Sequence, residues 1–510
     1  MNRYARDAAI IIVAVILSYW TTYSIHQDYS LLYHSDEWDH FTYSLEILKK
    51  ENVVNYNPYI GPRLKDPNWE VNYYLFIITL IHLTGLEPLE LALITPTIVA
   101  LIMSLNTFLL IFYLTKRKLH GLLAGIFVLT IKSNVTLLGP WFLVPMAYGL
   151  SHIPLILYLF LRVLKGGKYW LLVFGLIFIN TALIHAQTTT IFLPIFGLYL
   201  VLHPKVLWQN KLKLLPLPII AVILILYFAP NITKTPEEYN IEYYKTLLYE
   251  TKESLTLTTD DPTGYEVYYY YPRYLGQITI IFSLIGIYVL LASGKSEQRL
   301  LPIAILSLLP FVVQYYLTQT IYLSYYRRMF MYNAELLLMA AGVGLAATYE
   351  LVVENVDRFI NDDLDRLLAK GLAIALVLLF LNMQVQSTFA YKNQIYRIIE
   401  EKDISAIQWL KNNTDEDANI LALPHISKTI TPIGERHIIA ITKTRLGTSD
   451  KRNQDATEFF QASCNRKQEI LKRYKPDYVF HQGGIDCPFL ELVHRENRNF
   501  IYESTVKRKK

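Results

Sequence analysis

The chain has 510 residues, 53% of them hydrophobic and 18% charged, against about 25% charged in soluble domains, which excludes an ordinary water-soluble class. The formal net charge of +5 is small for this length and says less than its placement; no nucleic-acid partner is expected. Apolar runs recur from the N-terminus to about Met383 and then stop. The remaining stretch of roughly 120 residues mixes charge and apolar side chains as one soluble domain does. The expected division is therefore a transmembrane domain over 1–388 and a soluble domain over 389–510.

The first apolar run, Ala8 to Trp20, follows Arg3 and Arg6 and has no small-residue cleavage site behind it, so it is read as a retained anchor. Further spans are expected near 89–114, 121–138, 149–164, 169–185, 187–203, 214–229, 274–292, 300–319, 330–349 and 370–388, together with a first span at 8–25. With the N-terminus in the cytoplasm, alternate connections should be basic. They are: Lys116-Arg117-Lys118, Arg162 to Lys168, Lys205 to Lys213, Lys295 to Arg299 and Arg358 to Lys370. Tyr73 to Leu83 is too short to cross and would break this alternation, so it is read as a helix lying on the outer leaflet. The expectation is about eleven crossings, mainly α-helical, with the C-terminal domain extracytoplasmic. The outer face then receives loop 26–88, the short loop from Gly139 to Tyr148, loop 230–273 and the terminal domain.

Loop 26–88 carries His34-Ser35-Asp36-Glu37-Trp38-Asp39-His40, with three carboxylates in four residues beside a membrane face. Adjacent helical positions diverge by about 100°, so at most two of these acids converge. Asp36 and Asp39, spaced i, i+3, are placed to share one cation or substrate, with Mg or Mn as the candidate metal, leaving Glu37 for another partner. The competing reading is structural: Ser35 or Asp36 caps a helix over Glu37 to Lys49, whose first turn favours negative charge. Both readings hold together, because a cap also fixes an acid in space.

Arg327 and Arg328 fall on the outer side, against the positive-inside bias, at the N-terminal end of a helix, where the macrodipole disfavours cations. Guanidinium forks beside free backbone N–H groups suit a phosphate; headgroup anchoring is the simpler alternative. Arg273 is a further phosphate candidate. His185, with Gln187 and Thr188, marks the outer end of a hairpin between spans and is a candidate for substrate or metal, as are Asp260, Asp261 and Glu266 in loop 230–273. The tyrosine run Tyr268 to Tyr271 reads most simply as an interfacial belt.

The terminal domain opens with an amphipathic helix through Ile404, Ile407 and Leu410. Strand-like Ile420 to Leu423, His437 to Thr442 and Tyr478 to Phe480 alternate with a helical stretch near Asp455 to Tyr474, an α/β pattern. Cys464 and Cys487 both lie here, as a disulfide if the domain faces an oxidising space or as buried thiols otherwise. No Gly-rich nucleotide loop, HExxH, GxSxG or CxxC pair appears.

In layout the chain resembles the GT-C superfamily of membrane glycosyltransferases, and distantly the catalytic subunits of oligosaccharyltransferases. Asp36-Glu37-Trp38-Asp39-His40 resembles the Asp-containing motif of the first external loop. Leu114-Thr115-Lys116-Arg117-Lys118 with Gly121 to Gly125 resembles a cytoplasmic turn of those subunits. Arg328 stands where they carry an external arginine near the donor's phosphate, and Ile407 to Ala418 resembles the start of their soluble domain. Two departures stand out: Leu423-Pro424-His425 replaces a Trp-Trp-Asp signature, and Gly139 to Pro145 lacks the acidic metal motif of the second external loop. The resemblance implies a cell-membrane enzyme that takes sugar from a polyprenyl-phosphate or diphosphate donor and passes it to a hydroxyl on a glycan, lipid or protein. Asp36 would act as base, Glu37 or Asp39 would orient the acceptor or bind the cation, and Arg328 with Arg327 would face the leaving phosphate. Oligosaccharyltransferase-like protein glycosylation, a lipid transporter and a non-catalytic scaffold are the alternatives.

Overall fold

A computed structural model describes residues 3–61, 70–134, 137–166, 168–214, 257–258, 271–318, 320–321, 323–324, 326–360, 362–389, 395–441 and 450–506. The expected span 214–229, nearly all of loop 230–273 and with it Asp260, Asp261 and Glu266 lie outside the described residues. The described part is mainly helical with a small sheet, and it divides into two compact units, one of residues 1–25 and 94–394, the other of residues 26–93 and 395–510.

The first unit is built from apolar helices. Four described helices are long and apolar enough to cross a membrane: Pro88–Thr115, Pro145–Lys165, Glu297–Thr318 and Tyr326–Phe359. Ala186–Leu202 and Pro204–Lys211, bent by 103° against each other, make a fifth if counted as one span. Several expected spans are shorter or broken. The helix expected over 121–138 is Lys118–Val128, because Thr130, Lys132, Ser133 and Asn134 replace the apolar run ahead of Gly139-Pro140. The span expected over 187–203 is two helices, Ala186–Thr190 and Phe192–Leu202. That expected over 274–292 is broken at Gly276, whose φ of +90° sits in the left-handed region that glycine tolerates.

Tyr326–Phe359 is the central helix of this unit. At 34 residues it is ~51 Å long, well beyond the ~30 Å hydrocarbon layer. It lies against Gln277–Ala292 through Gly344 and Gly286: a Cβ on Gly344 would collide with the Phe282 carbonyl, and one on Gly286 with that of Ala340. Small residues let helix backbones approach closely where lipid supplies no hydrophobic drive. Ser283 Oγ donates to the Leu337 carbonyl at 2.9 Å across the same contact.

The second unit holds a five-stranded sheet in the order His437–Ile438, Asn419–Leu421, Tyr478–His481, Asn499–Ser504, Leu490–Glu496. The first three strands run parallel and the last two form an antiparallel hairpin beside them. Helices Ile404–Asn413, Pro424–Gly434, Asp450–Gln461 and Cys464–Tyr474 belong to this unit. Its core includes Leu421, Phe459, Ile470, Leu471, Val479 and Tyr502. Cys464 and Cys487 are joined in a disulfide.

Residues 26–93 are part of this unit. Tyr29 Oη donates to the Ile399 carbonyl at 2.6 Å, and the Ile438 N–H donates to the Tyr59 carbonyl at 2.9 Å, which covers the open edge of the sheet. Helix Ser35–Lys50 packs on helix Pro424–Gly434. That packing brings the acidic cluster to residues nearly four hundred positions later in the chain.

Candidate functional site

The acidic cluster opens helix Ser35–Lys50, and its cap is His34, where Ser35 or Asp36 was expected. His34 is extended (φ −96°, ψ 148°), and its Nδ1 accepts the Asp36 N–H at 3.1 Å. Glu37 Oε2 accepts the N–H groups of Tyr33 and His34 at 2.9 and 2.8 Å, completing a reciprocal capping box. An Nδ1 that accepts a hydrogen bond belongs to a neutral ring with its proton on Nε2, and burial pushes His34 below its ordinary value in the same direction. The 3.8 Å approach of Asp36 Oδ2 to that nitrogen is therefore not an ion pair.

The three neighbouring acids meet three different fates. Glu37 is fully buried and spends one oxygen on two backbone donors, a structural task. Asp39, whose side chain is 14% exposed, is held by Lys428 of helix Pro424–Gly434, with Nζ 2.5 Å from Oδ2 and the lysine side chain only 1% exposed. Asp36 is 46% exposed and is the acid of the three that faces solvent.

Charges around this group are strongly coupled. Burial pushes Asp39 up to about 6 although Lys428 pulls the other way. Burial draws Lys428 down, but Asp39 and Asp36 outweigh it and hold the ammonium above its ordinary value. Tyr59, fully buried, accepts a hydrogen bond from Thr42 at 3.1 Å, and its hydroxyl reaches the Lys428 carbonyl at 3.4 Å. Tyr396 lies beside Ser35 and within the field of Asp36, and burial raises its hydroxyl above the ordinary value.

As a divalent-cation site, Asp36 and Asp39 fit poorly. The ammonium of Lys428 already lies at hydrogen-bonding distance from Asp39, and no group of three or more His, Cys, Asp or Glu side chains is gathered for a metal among the described residues. Lys428 was not visible as a site residue in the sequence. Its signal was a lone lysine between Ile426 and Ile430, on the helix that begins where Leu423-Pro424-His425 departs from the expected signature.

In the first unit, Arg327 and Arg328 lie in the first turn of Tyr326–Phe359. Arg328 Nη1 donates to Gln187 Oε1. Next to Gln187, Thr188 joins Tyr332 Oη at 3.2 Å and His185 Nδ1 at 2.8 Å. His185, buried at the cap of Ala186–Thr190, thus belongs to the network that docks this short helix onto the arginine-bearing helix. Arg273, on the short helix Tyr271–Leu275, is exposed. One turn beyond Met331, Glu335 is fully buried with neither carboxyl oxygen hydrogen-bonded among the described residues, a group the sequence reading passed over inside an apolar span.

Residues 77–481 match a family of unknown function (DUF6541). By sequence, no curated protein matches the chain. Among solved structures it is similar to the oligosaccharyltransferase AglB of Archaeoglobus fulgidus in complex with an inhibitory peptide and a dolichol-phosphate (TM-score 0.62, 12% identity, 94% of this chain and 70% of that one). It is similar to ArnT from Cupriavidus metallidurans bound to undecaprenyl phosphate (TM-score 0.60, 12% identity, 100% of both chains). The arabinofuranosyltransferase AftD from Mycobacteria also matches (TM-score 0.57, 10% identity, 99% of this chain and 40% of that one). At such identities the likeness shows the fold, which is that of the GT-C glycosyltransferases.

Proposed function

The chain belongs to the DUF6541 family and has the GT-C fold, and from that premise we propose that it is an integral-membrane glycosyltransferase. Its donor is a sugar on a polyprenyl phosphate or diphosphate, and its acceptor a hydroxyl at the outer face. The observation that carries the reading is Asp36: a carboxylate on a capped helix start just after the first apolar helix, solvent-facing while Glu37 and Asp39 are taken up by backbone and lysine. The lipid phosphates bound to AglB and ArnT support the donor class.

In this reaction the acceptor oxygen forms a bond to the anomeric carbon as the bond from that carbon to the phosphate oxygen breaks. Asp36 takes the acceptor's proton, and the lipid phosphate or diphosphate leaves with the electron pair. A base within hydrogen-bond reach of the attacking hydroxyl lowers the barrier. Arg328, in the first turn of its helix, offsets charge growing on the leaving phosphate, and Gln187 orients its guanidinium. The N-terminus is cytoplasmic in this reading, about eleven helices cross, and residues 26–88 and 389–510 are extracytoplasmic. The Cys464–Cys487 disulfide is in keeping with an oxidising space.

The test is incubation of purified protein with polyprenyl-phosphate sugars and a membrane extract supplying acceptors. Wild type is expected to transfer sugar, and Asp36→Asn to bind donor without transferring it. Full turnover by Asp36→Asn would sink the assignment of the base, and donor left intact by wild type with acceptors present would favour a scaffold or transporter.

A further inference from the structure

We propose that Lys428 is the resident cation of the acidic cluster, its ammonium standing at Asp39 where a divalent metal would otherwise bind, so that the cluster takes up no Mg or Mn there. The inference rests on the glycosyltransferase reading for its catalytic meaning, but the site itself stands on geometry. Lysine is almost never fully buried unless paired. Here the side chain is 1% exposed and ends 2.5 Å from Asp39 Oδ2, on a helix that packs directly on the one carrying the acids. Its charge reaches Asp36 as well as Asp39. A divalent ion at Asp39 would have to displace this ammonium or sit beside it and meet like-charge repulsion in a poorly solvated place.

Charge arithmetic explains why a monovalent cation suits the task. With Glu37 turned onto two backbone N–H groups, the acids left to face a cation are Asp36 and Asp39. One ammonium offsets a single negative charge of the pair and leaves that of the other. A divalent ion bridging both would cancel that charge and weaken the base. Lys428 is thus a positioning residue: it fixes Asp39 and sets the field at Asp36 without touching substrate.

The experiment is Mn2+ titration of the purified full-length protein, followed by the electron paramagnetic resonance signal of free Mn2+, for wild type, Asp39→Asn, Lys428→Ala and the double variant. Wild type and Asp39→Asn should give the same isotherm. Lys428→Ala should gain one Mn2+ site, which the double variant lacks. A Mn2+ site in wild type that Asp39→Asn removes would overturn the proposal, and this comparison decides the matter even if Lys428→Ala does not fold. A folded Lys428→Ala that binds no more Mn2+ than wild type would overturn it too, because the ammonium would not be what keeps metal out. In the transfer assay, wild type should keep its full rate in EDTA; a rate lost to EDTA and restored by Mn2+ in wild type would also overturn it. Absence of any transfer, by contrast, would fail the glycosyltransferase reading and leave the Mn2+ comparison standing.

Discussion

Replacing Lys428 by Met should destabilise the second unit far more than replacing Lys428 and Asp39 together. The lysine is 1% exposed and its partner 14%, so water screens the pair little and the single substitution leaves a carboxylate stranded at a buried contact. Breaking such a pair typically costs about 3–5 kcal/mol, whereas exchanging both partners for neutral groups of similar volume is often neutral or stabilising. The double variant, Asp39→Asn with Lys428→Met, should therefore recover most of the loss, so that the coupling is at least as large as the loss it recovers. The loss should also be smaller at pH 5 than at pH 7.5. Asp39, already pushed up to about 6 by burial with the lysine present, rises further without it and escapes the penalty by taking a proton. Amide hydrogen exchange of peptides from Ser35–Lys50 and Pro424–Gly434 reads this locally in the full chain. A cost of 3–5 kcal/mol is a loss of protection from about 100-fold to a few thousand-fold. Strictly additive single and double variants, or equal losses at both pH values, would refute the argument that the two groups are coupled by burial.

Other consequences follow from the same geometry. Because the folded value of Asp39 lies above its ordinary 3.8, its favourable contribution is complete below about pH 4 and is lost as pH rises through about 6. The shift is worth ~3 kcal/mol at most. Asp39→Asn should flatten the stability profile of wild type across that window, and an unchanged slope by pH-dependent hydrogen exchange would refute the assignment. Arg328→Ala should weaken donor binding by about 10-fold to 100-fold, as loss of a charge-assisted hydrogen bond does, with Gln187→Ala giving a smaller effect; an unchanged donor isotherm for Arg328→Ala would exclude the phosphate role. Cys464 and Cys487, 23 positions apart, close a loop whose cross-link is worth ~3 kcal/mol, so reduction should lower the unfolding temperature of the second unit, and an identical melt with and without reductant would contradict this.

Much of the architecture was legible because it follows from composition and periodicity. Runs such as Leu91 to Leu114 can be buried in hydrocarbon only as helices, and the structure has Pro88–Thr115 there. The α/β alternation of the terminal residues survived as the parallel strands Asn419–Leu421, His437–Ile438 and Tyr478–His481. Where the reading failed, short polar breaks decided the outcome. Lys132, Ser133 and Asn134 ended a helix that hydropathy averaged over, and Gly276 split another. The hairpin Leu490–Glu496 with Asn499–Ser504 went unread because its first strand is charge-rich. Long-range partners were the least visible: the 389 positions between Asp39 and Lys428 carry no periodic signal, and only the packing of Ser35–Lys50 on Pro424–Gly434 discloses the pair.

The cap explains why three carboxylates in four residues do not behave as one cluster. Helical geometry sends neighbouring positions about 100° apart, so Glu37, at the third position of the helix, folds back on the N–H groups of Tyr33 and His34. Asp39, two positions on, is carried toward Pro424–Gly434 and its lysine. Asp36 has its backbone N–H fixed by His34 while its side chain stays at the surface. Each acid that is neutralised or buried makes the remaining one better defined in position and charge. Loss of the His34 cap should therefore reach Asp36 through the backbone. His34→Ala removes the acceptor of the Asp36 N–H, at a cost of about 1 kcal/mol in a typical cap, whereas His34→Asn restores an acceptor of the preferred kind. In the transfer assay His34→Ala should lower kcat with little change in donor binding, and His34→Asn should recover it. An equal loss in both variants would show that the imidazole itself, and not the cap, is what the reaction uses.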